Sequence, residues 1–197
     1  MSQQVRSEKI AVRAEVRARR ASASPRERER RRDALAGQLV DLVSDFGARS
    51  VTAYVPLGSE PDIGAFLEWA SHTGVCVLLP VALPGHRIEW AIDTGARIEG
   101  RHGILEPEGP RLGTEAAGDV DLLLVPACAV DPSGTRLGWG LGYYDRMLAT
   151  LHRRPPVYAV VDDEDVYPSL PRDAHDVPVA GAVTPTRILR FADQREV

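Results

Sequence analysis

The chain has 197 residues, of which 44% are hydrophobic and 26% are charged, as in an ordinary globular protein. This length is enough to bury a real core, and we expect one domain over residues 1–197. No apolar run reaches the roughly 18 residues of a membrane span, and the charged N-terminal stretch lacks the features of a secretory signal. The composition therefore predicts a cytoplasmic protein without a membrane partner.

The net charge of −4 conceals a strong asymmetry, because eleven of the 24 basic residues lie between Arg6 and Arg32. Nucleic-acid binding is one interpretation of this segment. No aromatic residues are interleaved with the basic ones, however, and the rest of the chain is acidic, which favours a solvated helix face and no nucleic-acid partner. Lys9 is the only lysine beside 23 arginines. Its compact ammonium group on a flexible stem suits a reacting phosphate, whereas a guanidinium group offers a planar fork.

Two helices are predicted before residue 47. The first covers Ser7 to about Arg20, where Ala, Arg and Glu are frequent, and Ser24-Pro25 then resembles an N-cap followed by proline in the first turn. In the second helix an apolar stripe at positions i, i+4, i+7, i+8 and i+11 predicts one face packed on a core. The stripe consists of Leu35, Leu39, Leu42, Val43 and Phe46.

Strand and helix patterns alternate over the rest of the chain. Short apolar runs predict strands at 51–55, 75–79, 87–92, 121–125 and 157–161, with helices at 63–71 and 143–151. Proline follows three of these runs and is expected to end them, and the Gly- and Pro-rich stretch 94–118 is expected to be mainly loop. The alternation predicts an α/β fold with a mostly parallel sheet between two helix layers. Ligands would then collect beyond the strand ends at Val55, Val125 and Val161.

The two cysteines, Cys76 and Cys128, lie in apolar stretches without a second Cys or a His at metal-ligand spacing. Both are predicted to be buried structural thiols.

A glycine-rich segment follows the strongest predicted strand. Gly138, Gly140 and Gly142 stand at alternate positions directly before a helix. Such glycines allow positive φ and let backbone N–H groups and the helix N-terminus approach an anion. The spacing matches neither the Walker loop nor the dinucleotide-binding fingerprint, so a simple tight turn is the alternative. Asp145, one turn into the helix, is placed to hold a hydrated magnesium ion against bound phosphates.

The run Arg136 to Asp145, RLGWGLGYYD, resembles the signature of 5-formyltetrahydrofolate cyclo-ligases, also called methenyltetrahydrofolate synthetases. Further similar segments occur in the family's order at Lys9 and Arg13, 54–63, 103–107 and 175–179. The resemblance implies a single Rossmann-like three-layer α/β/α domain preceded by two N-terminal helices. It also implies ATP-dependent cyclisation of 5-formyltetrahydrofolate to 5,10-methenyltetrahydrofolate through a phosphorylated formyl group. The implied partners are ATP, Mg²⁺ and a reduced folate, and we expect a monomer.

The resemblance also implies roles for particular residues. Lys9 and Arg13 would contact the ATP phosphates, and Lys9, Arg136 and Tyr144 would be catalytic. Asp145 and Asp176 match magnesium positions. The implied nucleotide loop is Arg136, Leu137, Gly138, Trp139, Gly140, Leu141, Gly142, Tyr143 and Tyr144. The implied folate-binding residues are Leu57, Glu60, Asp62, Glu106 and Tyr144. Trp90 would either stack on an aromatic ligand or pack in the core.

Two features depart from the family's pattern. Trp139 and Leu141 stand in the glycine loop, where members often carry a basic residue, so the cations must come from Lys9, Arg13 and Arg136. Ala180 stands where an acid is common. These departures leave a noncatalytic folate- or nucleotide-binding regulator as the alternative to an enzyme, while retention of Lys9, Tyr144 and Asp145 favours the enzyme.

Overall fold

The computed structural model describes residues 3–100, 105–173 and 176–192. The sequence features at Gly103, Ile104 and His175 lie outside these ranges. The helices are α1 (Gln3–Ser22), α2 (Pro25–Asp45), α3 (Gly64–Thr73) and α4 (Tyr143–Thr150). The strands are β1 (Ser50–Thr52), β2 (Cys76–Leu83), β3 (Arg87–Ile92), β4 (Arg97–Glu99), β5 (Leu105–Pro107), β6 (Arg111–Gly113), β7 (Leu122–Pro126), β8 (Ala129–Val130), β9 (Arg136–Leu137), β10 (Val157–Val160), β11 (Gly181–Val183) and β12 (Ile188–Arg190). Within the described ranges, no helix combines the length and the apolar character needed to cross a membrane.

Eight strands form the main sheet in the order β12-β11-β10-β7-β1-β2-β3-β6. The five inner strands from β11 to β2 are parallel, and β12, β3 and β6 are antiparallel additions at the edges. Side chains alternate along β7: Leu122 and Leu124 join the core under α2 and α3, whereas Leu123 and Val125 join the core under α4. The predicted three-layer α/β/α fold with a mostly parallel sheet is confirmed.

Helix α2 forms as its sequence predicts. The Ser24 hydroxyl caps it by accepting a hydrogen bond from the Glu27 amide at 3.2 Å, and Pro25 occupies the first turn. Four of the five stripe residues are buried, from Leu35 to Val43. Phe46 remains 39% exposed just beyond the helix end, where its ring packs edge-on against Tyr158 with centroids 5.7 Å apart. The apolar stripe therefore identified the buried face of α2 correctly except at its last position.

Strand β2 continues through Pro80 to Leu83, so the prediction that proline ends this strand is wrong. The Ala82 amide, which lies on the same side of β2 as the Pro80 nitrogen, donates to the Glu106 carboxylate at 3.1 Å and not to β3. Strand β1 pairs only with residues 76–78. Pro80 is tolerated because its nitrogen, which cannot donate a hydrogen bond, faces the side of β2 that has no paired strand at this position among the described residues.

Three further differences concern shorter features. The stretch 94–118 contains short strands that were not predicted: β4 and β5 form a separate ribbon, and β6 joins the main sheet. Cys128 is buried as predicted, but Cys76 is exposed because it is the first residue of β2, at the amino edge of the sheet. Strand β1 is also shorter than predicted, since its regular pairing stops at Thr52.

Helix α1 is fixed to the carboxyl edge of the sheet by buried contacts. Val16 packs in a small core with Cys128 and Leu137 of the β8–β9 region. Arg20, 6% exposed, donates through Nε to the Asp165 carboxylate at 2.9 Å and through its terminal nitrogen to the Ala127 carbonyl at 3.2 Å. This anchoring directs one face of α1 toward the ends of β7 and β10.

Candidate active site

A cavity of about 410 Å³ opens at the carboxyl ends of β1 and β7, where the sheet topology predicted a ligand site. The glycine loop and the N-terminus of α4 form one wall, and the segment after β1 forms the opposite wall. Its apolar lining includes Tyr54, Pro80 and Ile88, while Glu60 and Arg136 supply charge. A mainly apolar cavity with a few convergent charged groups is typical of small-molecule sites.

Two glycines give the loop its shape. Gly140 and Gly142 have φ values of +104° and +68°, a region that residues with a Cβ rarely adopt. Gly142 directly precedes α4, so the loop passes into the helix through a left-handed residue. The Arg146 guanidinium donates to the Leu141 carbonyl at 3.0 Å and ties the loop to α4. The left-handed glycines and the Arg146 contact therefore fix the shape of the loop where it lines the cavity.

Helix α1 brings cations to the same loop. Arg13 donates through Nε to the Gly138 carbonyl at 2.8 Å. Burial and the neighbouring Arg17 both lower the pKa of Arg13. Lys9, only 7% exposed, donates to the Asp176 carboxylate at 2.5 Å. Because residues at i and i+4 share a helix face, Lys9, Arg13 and Arg17 form one cationic row beside the glycine loop.

Arg136 is the most buried cation of the cavity, with an exposure of 3%. Its guanidinium forms an ion pair with Asp145, which stands in the first turn of α4. The Arg136 Nε is buried and has no hydrogen-bond acceptor among the residues that the structure describes. A buried donor without a partner is costly in a finished core, and a bound anion would satisfy it.

Glu60 faces the cavity from the segment after β1. Its carboxylate accepts a hydrogen bond from the Leu57 amide at 3.0 Å. Burial raises the pKa of Glu60 to about 7, against the opposing effects of the Leu57 amide and Arg20. Tyr144 lies nearby on α4, and burial together with the charge of Glu60 raises the pKa of its phenol, which stays protonated at neutral pH. The cavity thus offers an acid that titrates near neutrality beside a hydroxyl donor.

The raised pKa makes stability depend on pH through Glu60. The native state holds this proton up to about pH 7, whereas the unfolded chain loses it near 4.5. Stability from this group is complete below pH 4.5 and falls as the pH rises to about 7. For Glu60→Gln we expect this loss, on the order of 3 kcal/mol, to disappear from urea unfolding curves measured between pH 4.5 and 8. Glu89→Gln, in the ion pair with Arg111 on the β3 edge, is the control, and equal pH profiles for wild type and Glu60→Gln would contradict the prediction.

The other predicted folate-binding residues lie around the same region. Glu106 is 5% exposed and lines the cavity, with one carboxylate oxygen held by the Ala82 amide. Leu57 lines the mouth and is 39% exposed. Asp62 differs, because its carboxylate accepts from the Gly64 amide at 2.8 Å at the start of α3 and lines a neighbouring cavity. Trp90 is fully buried in the core under α4, so its indole packs in the core, as one of the two alternatives predicted.

The structure separates the predicted nucleotide residues into two groups. Most of the loop lines the cavity: Arg136, Gly138, Trp139, Leu141, Gly142, Tyr143 and Tyr144, together with Asp145. Leu137 and Gly140 do not line it, because the Leu137 side chain is buried in the small core under α1 and Gly140 lies beside the Arg13 guanidinium. Lys9 and Asp176 form their ion pair beside the cavity, and Arg13 reaches the loop main chain near Gly138 and Gly140.

Arg17 and Arg20 are site residues that the sequence interpretation missed. Their guanidinium groups each lie 5.3 Å from the Trp139 ring centroid, and Arg17 also lines the cavity. Contacts of this kind are favourable cation–π interactions. The i, i+4, i+8 spacing of Lys9, Arg13 and Arg17 is visible in the sequence and could have identified Arg17. Arg20 required the fold, since its partners Asp165 and Ala127 lie more than 100 residues away along the chain.

Comparison with known proteins agrees with this geometry. The model of the 5-formyltetrahydrofolate cyclo-ligase family matches residues 5–185. The chain belongs to the 5-formyltetrahydrofolate cyclo-ligase family. A cyclo-ligase of Mycolicibacterium smegmatis is 40% identical over 169 residues, covering 81% of this chain and 84% of the relative. That of Escherichia coli strain K12 is 25% identical over 178 residues, covering 88% and 98%.

Solved structures of the family have the same fold. The NMR structure of Aquifex aeolicus 5,10-methenyltetrahydrofolate synthetase has a TM-score of 0.79 at 32% identity, covering 96% of this chain and 95% of that one. The Mycoplasma pneumoniae 5,10-methenyltetrahydrofolate synthetase has a TM-score of 0.73 at 20% identity, covering 89% and 98%, and supports the fold alone. Family membership identifies the chain as a 5-formyltetrahydrofolate cyclo-ligase.

Proposed function

We propose that this cyclo-ligase converts 5-formyltetrahydrofolate to 5,10-methenyltetrahydrofolate with consumption of ATP and release of ADP and phosphate. Family membership supports the overall conversion. The observation that carries the role of ATP is the glycine loop, which lines the cavity next to the cations Lys9, Arg13 and Arg136. These groups suit a triphosphate, while the apolar remainder of the cavity suits a pterin ring.

The proposed reaction activates an amide. The formyl oxygen attacks the γ-phosphorus of ATP, the bond to the bridging oxygen breaks, and ADP leaves, which gives an iminium phosphate. The secondary amine nitrogen on the folate side chain then attacks the formyl carbon and closes a five-membered ring. Phosphate departs with the former formyl oxygen, the amine proton is released to solvent, and the methenyl product remains. No nucleophilic side chain is needed in either step.

The protein's contribution is alignment and charge compensation, which are the main requirements of phosphoryl transfer. We propose that Lys9 and Arg136 contact the transferred phosphate, because Lys9 carries a compact point charge and Arg136 has a buried Nε donor without an acceptor among the described residues. Arg13 supports the loop through the Gly138 carbonyl. The backbone N–H groups from Leu137 to Tyr143 complete the phosphate site, with the start of α4 contributing its positive dipole end.

Magnesium fits this donor set as a companion of ATP. Among the residues that the structure describes, no group of three or more His, Cys, Asp or Glu side chains could hold a metal ion alone. Asp145 and Asp176 are each ion-paired with a cation of the site. Magnesium takes one or two carboxylates together with phosphate oxygens and water, and it neutralises charge on those phosphates when bound. We propose Asp145 and Asp176 as the carboxylates.

The folate would lie in the remaining cavity. We propose that Glu60 accepts hydrogen bonds from the donor edge of the pterin and so fixes which oxygen faces the phosphate. Leu57, Glu106 and Tyr144 would form the surrounding walls, and Asp62 would support the Glu60 segment from the start of α3. Tyr144 stands between the nucleotide loop and Glu60, so its hydroxyl would contact both ligands.

Ultraviolet absorbance of the methenyl product tests the proposal directly. We expect product to form when the protein is mixed with 5-formyltetrahydrofolate, ATP and Mg²⁺, with ADP and product released in a 1:1 ratio. Omission of ATP or Mg²⁺ should abolish the signal. Because methenyltetrahydrofolate also forms from the substrate in acid, the assay is run near neutrality with a no-enzyme control. Absence of ATP-dependent product would refute the proposed activity.

A further inference from the structure

Arg20 donates hydrogen bonds from every nitrogen of its guanidinium group. Nε donates to the Asp165 carboxylate at 2.9 Å, and one terminal nitrogen donates to the Ala127 carbonyl at 3.2 Å. The other terminal nitrogen donates to the Ser59 carbonyl at 3.1 Å. Asp165 and Ala127 follow β10 and β7, whereas Ser59 belongs to the segment after β1. This side chain therefore joins the last turn of α1 to three separate parts of the chain around the cavity.

The same guanidinium group also contacts the glycine loop. Its central carbon lies 5.3 Å from the Trp139 ring centroid, within the range of a cation–π interaction. Trp139 lines the cavity from the wall formed by the loop, and Ser59 lines it from the opposite wall. Arg20 itself lines the neighbouring cavity and not this one. It thus holds both walls from behind.

The burial of Arg20 calls for an explanation other than the anchoring of α1. Arg20 is 6% exposed and Asp165 is fully buried. Apolar residues of similar volume can often replace such a buried ion pair without loss of stability. A guanidinium group instead fixes several acceptors relative to one another, because its planar fork presents donors in set directions. We therefore expect a buried arginine with this many partners where the relative placement of those partners matters.

The two walls that Arg20 joins have exposed outer residues. Leu57 and Gly58 are exposed in the segment after β1, and Gly140 and Leu141 are exposed in the glycine loop. Exposed turns of this kind open locally at a low free-energy cost. A ligand that holds one wall against Arg20 also holds the guanidinium group in the position that the other wall requires. Ordering of one wall would therefore favour ordering of the other.

We propose that Arg20 is a positioning residue that couples the two ligand sites of the cavity. Nucleotide bound at the glycine loop and folate bound at the segment after β1 then strengthen each other's binding. This inference rests on the proposed function. Arg20 touches neither ligand and acts through Ser59 and Trp139. The coupling is reciprocal, because the factor by which one ligand raises the affinity for the other is the same in both directions.

Calorimetry measures this coupling factor. The dissociation constant of the magnesium complex of AMP-PNP, an ATP analogue whose γ-phosphate resists transfer, is determined with and without saturating 5-formyltetrahydrofolate. In the wild-type protein we expect the folate to lower this constant by about tenfold, which is within the usual range for coupled sites. In Arg20→Lys we expect a factor close to one. The ammonium group keeps the charge beside Asp165 but cannot reach Ser59 and Trp139 at the same time.

Arg19→Lys is the matched control. Arg19 precedes Arg20 on α1 and pairs with the other oxygen of the Asp165 carboxylate. It lines neither cavity, and its aromatic contact is with Tyr167. The wild-type coupling factor should persist in this variant. Equal loss of the factor in Arg19→Lys and Arg20→Lys would overturn the proposal, because the effect would then come from the anchoring of α1.

Two variants of Trp139 test the coupling even if Arg20→Lys does not fold, because Trp139 is only partly buried. Trp139→Leu removes the ring under the guanidinium group, and we expect it to bring the coupling factor close to one. Trp139→Phe keeps an aromatic face, and we expect it to retain most of the factor. A merely structural role for Arg20 would weaken the binding of each ligand and leave the factor unchanged, which would contradict the proposal.

The same measurements distinguish this inference from the proposed function. If the wild-type protein forms the methenyl product and binds both ligands without mutual effect, the coupling is wrong and the proposed function stands. If it neither binds the nucleotide nor forms product, the proposed function is refuted and the coupling with it.

Discussion

Lys9→Arg is expected to lower kcat of methenyltetrahydrofolate formation by about 100-fold or more, the scale expected for losing one well-placed transition-state contact. The substitution keeps the charge but replaces a compact ammonium group with a larger planar fork. Lys9 is a residue of α1, is 7% exposed and pairs with Asp176, so the larger guanidinium group has little room to reach the same point. We therefore expect the loss to appear mainly in kcat.

Arg6→Lys is the control for this substitution, because it exchanges the same two residue types at an exposed position of the same helix. It should leave kcat unchanged. Thermal unfolding of Lys9→Arg is measured in parallel, and kcat is compared at a temperature at which both proteins are folded, so that loss of catalysis is separated from loss of the fold. Wild-type turnover by Lys9→Arg would show that the retention of a single lysine has no catalytic meaning.

The local features of the site could be predicted because each is encoded within a few residues. The N-cap at Ser24, the buried stripe of α2 and the glycines before α4 all follow from spacing along the chain. The alternation of strands and helices was sufficient to place the cavity at the carboxyl edge of the sheet. Ligand roles for the loop came from its resemblance to a family, since a glycine-rich turn alone does not specify a nucleotide.

Features that depend on distant partners could not be predicted. Arg20 acquires its meaning from carbonyl groups of 127 and 128 and from Asp165, and no sequence pattern indicates that these atoms meet. The continuation of β2 through Pro80 is a second example. It is possible because, among the described residues, β1 pairs with β2 only before Pro80, and the sheet order alone determines this. The raised pKa of Glu60 arises from burial, and a run of exposed-looking residues such as PLGSEPD gives no sign of it.

The two ion pairs of the site explain how charged groups are kept beside an apolar cavity. Lys9 with Asp176, and Arg136 with Asp145, each bring one cation and one carboxylate out of bulk water together. An isolated buried charge would be far more costly than such a pair. Under the proposed function, the metal of a magnesium–nucleotide complex would bind the carboxylates and its phosphates would bind the cations. This exchange would preserve charge balance, so we expect both partners of each pair to matter.

Asp145→Asn is expected to raise the Mg²⁺ concentration that gives half-maximal activity by at least about tenfold, and to lower kcat by about 100-fold. Asparagine keeps the shape and one acceptor oxygen but loses the negative charge that a hard cation requires. The same change weakens the partner of the Arg136 guanidinium, whose side chain is 1% exposed, so some loss of stability is also expected. Asp41→Asn, on the exposed face of α2, controls for the general loss of one carboxylate.

Magnesium-dependent nucleotide binding distinguishes the two roles of Asp145. Calorimetry should show that Mg²⁺ strengthens ATP binding to the wild-type protein more than to Asp145→Asn, and activity need not be measured. If the carboxylate served only to hold Arg136, the variant would be less stable but would keep the wild-type response to Mg²⁺. The ion pair and the metal role would then be separate, and Asp176 alone would remain as the proposed carboxylate ligand beside the phosphates.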